Sequence, residues 1–293
     1  MSRNGPARGS EATGGAPQGP SAIVYTCTFD DYDYNFGPLV RTPNTRFLRY
    51  GTSRPNRWRI WEHLPVPDDM ALETQTLTNR RFKFLPGAVL PDCDVAIYVD
   101  GTILVRADLS PLIAEFWDSG ADIALFPHPS GRTVEQEMDF ALEHKTSARD
   151  IPLMQAQRDR YREMGLLDMP VTENTIIFYR MAAPKVAEIG TLWWEEFERF
   201  SKRDQISLPY VRDRIAPKVH LWDWHFHAPS DRNRYFARAP HRRPSRLARL
   251  RAAAFFMKDH ALEYRALHGA IKAAGALRKL PRGILRMSRA GRR

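Results

Sequence analysis

The sequence predicts an α/β fold: a mostly parallel mixed sheet with helices on both faces, followed by a helical, basic C-terminal extension. Three features predict it. Short β-rich apolar runs alternate with longer helical runs, the spacing of β-α-β units. The stretch Val95-Ala-Ile-Tyr-Val-Asp100-Gly-Thr-Ile-Leu-Val105 is apolar on either side of one carboxylate, which reads as a buried strand ending at Asp100. Charge is divided along the chain: residues 231–293 hold 18 Lys and Arg against three acids, a net of +15, while residues 1–230 sum to −5.

The elements follow in order. Residues 1–21, rich in Gly, Pro, Ser and Ala, predict a disordered leader and lack the apolar core of a signal peptide. Ser21–Phe29 opens the fold as the first strand, and a polar aromatic loop runs from Asp30 to Phe36. A short strand is expected at Arg46–Tyr50. Arg80, Arg81 and Lys83 stand just before Pro86 and the strand at Val95. Ser110-Pro111 supplies an N-cap and a first-turn proline for a helix over Leu112–Trp117 that stops near Gly120. Ala121–Phe126 is the next strand. Helices are expected at Val134–His144 and Leu153–Met164, the second stopped by Gly165. Thr175–Tyr179 is another strand, and a helix bearing Trp193, Trp194, Phe197 and Phe200 leads to Arg203-Asp204-Gln205. Val219–Phe226 is predicted as the last strand. The division expected is a leader at 1–21, one α/β domain at 22–230 and a basic, largely helical extension at 231–293.

Composition narrows the classes. A chain of 293 residues with 43% hydrophobic content can bury a sizeable core. Its two cysteines, Cys27 and Cys93, lie in apolar surroundings and predict buried free thiols in a reducing compartment. No run approaches the roughly 18 apolar residues of a membrane span, so the expected address is cytoplasmic. In the extension, Leu250, Ala254, Met257, Ala261, Tyr264 and Ile271 recur at helical steps between arginines. Such a helix either packs back on the domain or holds the protein peripherally at the anionic inner face of the cell membrane.

A carboxylate at the end of a buried strand is costly unless it meets a cation or strong donors, and strand ends of open α/β sheets are where ligands sit. The turn Asp100-Gly101-Thr102 resembles the Asp-x-Asp turn of nucleotide-sugar glycosyltransferases of the GT-A type, in which it holds a divalent metal and the donor's diphosphate. Thr102 stands where the second carboxylate would be. A hydroxyl is a poorer ligand for a hard cation, which leaves dependence on Mn or Mg open.

The surrounding motifs extend the likeness. Arg80-Arg81-Phe82-Lys83, Tyr98-Val99-Asp100-Gly101, Pro127-His128-Pro129 with Arg132 and Glu135, Glu173-Asn174-Thr175, Trp193-Trp194-Glu195 and Arg203-Asp204-Gln205-Ile206-Ser207 occur in one order. Over about Ile23 to His227 the chain resembles the glycosyltransferase-like family known as domain of unknown function 616, the turgor-regulation and mucilage-related type. Its most specific element is the Arg-Asp-Gln-Ile-Ser segment. The resemblance implies a GT-A-like (Rossmann-like) fold, a nucleotide-sugar donor, and a glycan or lipid-linked acceptor, with a role in surface polysaccharide synthesis.

Roles follow from charge and position. A nucleoside diphosphate-sugar carries about two negative charges, to be met by a metal on Asp100 or directly by Arg81 and Lys83. Thr26 and Asp30, at the end of the first strand, are expected at the base and ribose, Gly101 and Thr102 beside the diphosphate, and His128 and Arg132 at the donor sugar or its phosphate. Asp204, with Gln205 beside it, is the candidate base or acceptor-orienting carboxylate. On a strand, His225 and His227 share a face and would both reach a metal held by Asp100. Trp58, Trp61, Trp193, Trp194, Trp222 and Trp224 are available to stack on sugars.

Two other classes are weighed beside a transferase. One is a non-catalytic carbohydrate- or nucleotide-binding module on a degenerate GT-A fold. The other is a nucleic-acid-associated protein acting through its basic extension, which the acidic body and the lack of zinc-finger or RNP spacing disfavour. No Gly-rich phosphate loop, Gly-x-Ser-x-Gly elbow or Cys-His catalytic pairing is present.

Overall fold

The structure, a computed structural model, describes residues 19–30, 32–33, 37–52, 60–226, 234–239, 250–251, 254–255, 258 and 262–279. The leader through residue 18, Trp58, His227 and residues 240–249 of the basic extension lie outside these. The described elements, in chain order, are β1 (Ala22–Thr28), β2 (Thr45–Gly51), β3 (Glu62–Leu64), α1 (Gln75–Phe84), β4 (Val95–Val99), β5 (Ile103–Val105), α2 (Ser110–Ser119), β6 (Ile123–Pro127), α3 (Val134–His144), α4 (Ile151–Glu163), β7 (Thr172–Arg180), α5 (Pro184–Arg199), α6 (Asp204–Ile215), β8 (Val219–Leu221), β9 (Phe236–Arg238) and α7 (Leu262–Lys279).

Seven strands form one sheet in the order β3-β2-β1-β4-β7-β6-β8. Only β7 opposes the rest, running antiparallel to both β4 and β6. The other pairs, β1 with β2 and β4, β2 with β3, and β6 with β8, are parallel. Six strands therefore end along one edge, and the first residues of β7 emerge at that same edge. Ligands of open α/β sheets bind outside the strands' carboxyl ends.

Alternation along β1 and β4 builds two apolar layers. Tyr25, Cys27, Ala96 and Tyr98 face one layer with Trp193, Phe197 and Ile206 of α5 and α6. Val24, Val95, Ile97 and Val99 face the other with Leu112 and Phe116 of α2. Both faces are thus covered, as the alternation of elements predicts.

Several expectations are revised. Val219–Phe226 is a strand only to Leu221; the Trp222 N–H still donates to the Leu125 carbonyl at 3.1 Å, and Trp222 and Phe226 pack around Phe126 with ring centroids 5.6 and 5.4 Å away. The body does not close at residue 230. Strand β9 pairs antiparallel with β5, and Tyr235 and Phe236 are buried in the second layer. Residues 204–215, for which the sequence reading names no element, form α6, a separate helix whose first residue is Asp204.

The basic segment before Pro86 is helical. Thr74 caps α1, its hydroxyl accepting from the Leu77 N–H at 3.2 Å. At about 100° per residue, Gln75, Thr76, Asn79, Arg80 and Lys83 share one side of the helix and Arg81 faces elsewhere. Helix α5 pins α1 from behind: Phe84 stacks on Trp193 with centroids 4.1 Å apart. Gly190 permits that approach. A Cβ there would lie 2.9 Å from Leu85 Cδ2 and 3.3 Å from the Phe84 carbonyl carbon, with the carbonyl oxygen nearer still. Gly190→Ala is therefore expected to destabilise the protein by ~1–3 kcal/mol through forced separation of α1 and α5. Urea unfolding measures it, and an unchanged midpoint would show that this contact is slack.

Candidate active site

Two adjoining cavities open along the edge where the parallel strands end. The larger, about 580 Å³, is lined by Cys27 at the end of β1 and Phe29, Asp30, Tyr32 and Asp33 after it, by Gln75, Asn79 and Arg80 of α1, and by Asp100, Gly101 and Thr102 after β4. The second, about 390 Å³, lies toward α3 and α6 and includes Lys83, His128, Arg132, Glu173, Asp204 and Gln205. Arg80 and Asp100 line both. They form the wall where the two cavities meet.

Strand β4 fixes Asp100. Its backbone N–H donates to the Thr175 carbonyl at 2.8 Å, and the Tyr98 hydroxyl donates to its Oδ1 at 2.7 Å. Tyr98 is fully buried; desolvation, with the neighbouring Asp100 charge, keeps its hydroxyl protonated and donating. Gly101 is required by close packing: a Cβ would lie 2.7 Å from Thr28 Cγ2 and collide with the Asp33 carboxylate.

Arg80 is oriented by Asn79, whose Oδ1 accepts from Nη1 at 2.6 Å, while Asn79 Nδ2 donates to the Cys27 carbonyl at 2.6 Å. Its Nε lies 3.9 Å from Asp204 Oδ2. Burial works against the guanidinium charge, but Asp204, Asp100 and Tyr98 more than offset it and keep Arg80 cationic. Lys83, 1% exposed, is ion-paired and hydrogen-bonded to Asp204 Oδ2. Burial would raise the Asp204 carboxyl; Lys83 and Arg80 overcome that and hold it well below the usual carboxylate range.

The expected site residues divide accordingly. Asp30, Gly101 and Thr102 line the larger cavity, Lys83, His128, Arg132, Asp204 and Gln205 the second, and Asp100 both. Asp30 accepts from Thr52 Oγ1 at 2.9 Å and from Gln75. Arg132 is paired with buried Glu137 at 2.7 Å and lies 3.9 Å from the Phe140 ring centroid. Three roles need revision. Arg81 lines neither cavity and reaches the Asp69 carbonyl at 2.8 Å, because the helical turn points it away. Lys83 is committed to Asp204 rather than to a phosphate. Thr26 sits below the open cleft against a void of about 10 Å³, and its hydroxyl is buried without a hydrogen-bond partner among the described residues.

Of the implied metal shell, Asp100 is the one member that lines a cavity among the described residues. Among the described residues no three His, Cys, Asp or Glu side chains come together. His225 lines neither cavity, since the strand that would have aligned it ends at Leu221, and His227 lies outside the described residues. Asp100 instead has a guanidinium for a neighbour, a donor set that fits an anion better than a hard cation. Trp193, Trp222 and Trp61 are core residues, and no described tryptophan lines either cavity.

The arrangement missed in the sequence is the polar face of α1. Asn79, Arg80 and Lys83 would have stood out once Thr74 was read as a cap. Arg203 of the α6 N-terminus and Arg238 of β9 also line the second cavity.

A carboxylate and a guanidinium are thus shared by two cavities at the C-terminal edge of the mostly parallel sheet of an α/β protein. The chain belongs to the TOD1/MUCI70 glycosyltransferase-like domain family, whose model matches residues 51–241. It is 27% identical over 170 residues to the probable hexosyltransferase MUCI70 of Arabidopsis thaliana, covering 55% of this chain and 29% of that protein. It is 28% identical over 149 residues to the alkaline ceramidase TOD1 of the same plant, covering 47% of this chain and 32% of that protein. The matched part thus spans about a third of either relative or less. Similar solved structures include mouse xyloside xylosyltransferase 1, with TM-score 0.43, 10% identity and coverage of 71% of this chain and 86% of that one. Another is the Mn/GDP form of core-mannan synthase A from Aspergillus fumigatus, with TM-score 0.39, 8% identity and coverage of 73% and 74%.

Proposed function

We propose that this chain transfers a sugar from a nucleotide-sugar donor to a glycan or lipid-linked acceptor, in surface polysaccharide synthesis. The observation that carries the reading is the Arg80–Asp100 wall between the two cavities. The larger cavity takes the nucleotide, with Phe29 and Tyr32 beside the base. The diphosphate lies at Arg80, whose fixed charge stabilises the negative charge that builds on the leaving group as the glycosidic bond breaks. The second cavity takes the acceptor. Asp204, locked as an anion by Lys83, is too weakly basic to remove a proton efficiently near neutral pH, so it orients an acceptor hydroxyl. Mn or Mg, if used, would have to be held mainly by the donor's own phosphates with Asp100. The basic extension supports attachment at the anionic inner face of the cell membrane.

Thermal unfolding with UDP, GDP, CMP and their sugars, each with and without manganese, tests the reading. One nucleotide should raise Tm, its sugar should be transferred or slowly hydrolysed, and Asp100→Ala should abolish the shift. If no nucleotide binds and no donor is consumed, the reading fails.

A further inference from the structure

The second cavity has a charge balance that a neutral sugar does not explain. Six cationic side chains and four carboxylates line it. Lys83 is matched to Asp204 and Arg132 to Glu137, Arg80 faces Asp100 and Asp204, and Glu173 is the fourth carboxylate, so the lining carries two more cations than carboxylates. Arg203, Arg238 and Lys145 make no ion pair with any described residue. They come from three separate elements: Arg203 from the N-terminus of α6, Arg238 from β9 and Lys145 from the end of α3.

These cations are placed rather than scattered. Arg203 Nη2 donates to the Lys145 carbonyl, tying the two segments together. Lys145 Nζ lies 4.8 Å from the Phe140 ring centroid, with Arg132 on the same ring. Burial depresses the Arg203 pKa, the mark of a charge that is only partly compensated. Arg238 is brought in by the β5–β9 pairing, which also ties the segment after residue 233 to the body. A neutral acceptor entering here would desolvate a surplus of positive charge without compensating it, whereas an oxyanion would pair with guanidinium groups that suit carboxylate and phosphate geometry.

We propose that the acceptor bears an oxyanion, a sugar carboxylate or a phosphate, bound by Arg203 and Arg238 in the second cavity. This rests on the transferase reading and names its acceptor class. The donor's diphosphate lies on the other side of the Arg80–Asp100 wall, so these cations recognise a different ligand.

Calorimetric titration of the full chain tests it with four probes: a hexuronate oligosaccharide, its methyl ester, a neutral hexose oligosaccharide of equal length, and a hexose 6-phosphate. At least one anionic probe should bind tenfold or more tightly than both uncharged ones, and the stronger anion identifies carboxylate or phosphate as the natural group. Arg203→Gln and Arg238→Gln should each remove most of that preference while the nucleotide-induced Tm shift persists. Arg238 is exposed on a short strand, so its variant keeps the test valid if Arg203→Gln unfolds. Equal binding of charged and uncharged saccharides, or no saccharide binding, overturns the proposal while a nucleotide shift leaves the transferase reading standing. Loss of the nucleotide shift in the two variants also overturns it, by assigning these cations to the donor. Anion preference without any nucleotide shift would instead keep the subsite and remove the transferase reading on which its acceptor role depends.

Discussion

Lys83→Met is expected to destabilise the protein by ~3–5 kcal/mol, the largest stability effect of any single site change. The methionine fills the same apolar slot between α1 and the sheet, so packing is largely kept. What is lost is the countercharge of Asp204, whose side chain is only 15% exposed. Arg80, 3.9 Å away, compensates in part, and the effect should therefore fall toward the lower end of that range. The pH dependence gives an independent readout. Asp204 has a depressed pKa in the folded state, so its contribution is fully present above the ordinary carboxylate value near 4, begins to be lost as pH falls past it, and is gone only below the depressed value. Unfolding by guanidinium at pH 7 and pH 3.5 should show the wild type losing stability on acidification. Lys83→Met should lose less, because its Asp204 then keeps only Arg80 as a countercharge against the burial that raises its pKa, and is less depressed. Equal losses in the two proteins would place the acid sensitivity elsewhere.

Arg80→Met is expected to lower kcat/KM for sugar transfer by roughly 10²–10³-fold, the usual cost of removing one preorganised group that stabilises transition-state charge. The guanidinium is held by Asn79 and drawn between Asp100 and Asp204 before any ligand arrives, so little reorganisation is needed at the moment of reaction. If its main partner is the leaving diphosphate, kcat should fall and nucleotide affinity should fall less. Arg80→Lys should recover only a fraction, since an ammonium cannot reproduce the fork that reaches both cavities. A variant with normal turnover and a raised acceptor KM would move Arg80 from the diphosphate to the acceptor.

The catalytic edge was legible where local chemistry is strong. The run from Val95 to Val105 marks a buried strand and its terminal carboxylate, and the structure sets Asp100 at the meeting of both cavities. Gly120 ends α2 with a left-handed φ of 64°, and Thr133 with Gln136 forms a capping box at α3, so these helices could be read from their ends. Helix α1 was obscured because Thr76, Thr78 and Asn79 are weak helix formers, and its polar side reads as a charged loop until the cap at Thr74 sets the phase. Without that phase the sequence does not tell that Arg80, and not Arg81, lines the cavities. Strand β9 and its pairing with β5 were invisible for another reason: three residues carry no usable period, and the pairing joins positions more than 130 apart in the chain. His225 lines neither cavity because alternation predicts a shared face only while the strand lasts, and β8 stops at Leu221; His227 lies outside the described residues.

The site assignment reduces to where a nucleoside diphosphate binds. A crystal structure of the protein with the nucleotide that gives the largest Tm shift tests it most directly. The diphosphate should lie within hydrogen-bonding distance of Arg80, beside Asp100 and Gly101, with the base beside Phe29 and Tyr32. A diphosphate bound among Arg203, Arg238 and Lys145, or anywhere away from the Arg80–Asp100 wall, would contradict the site proposed.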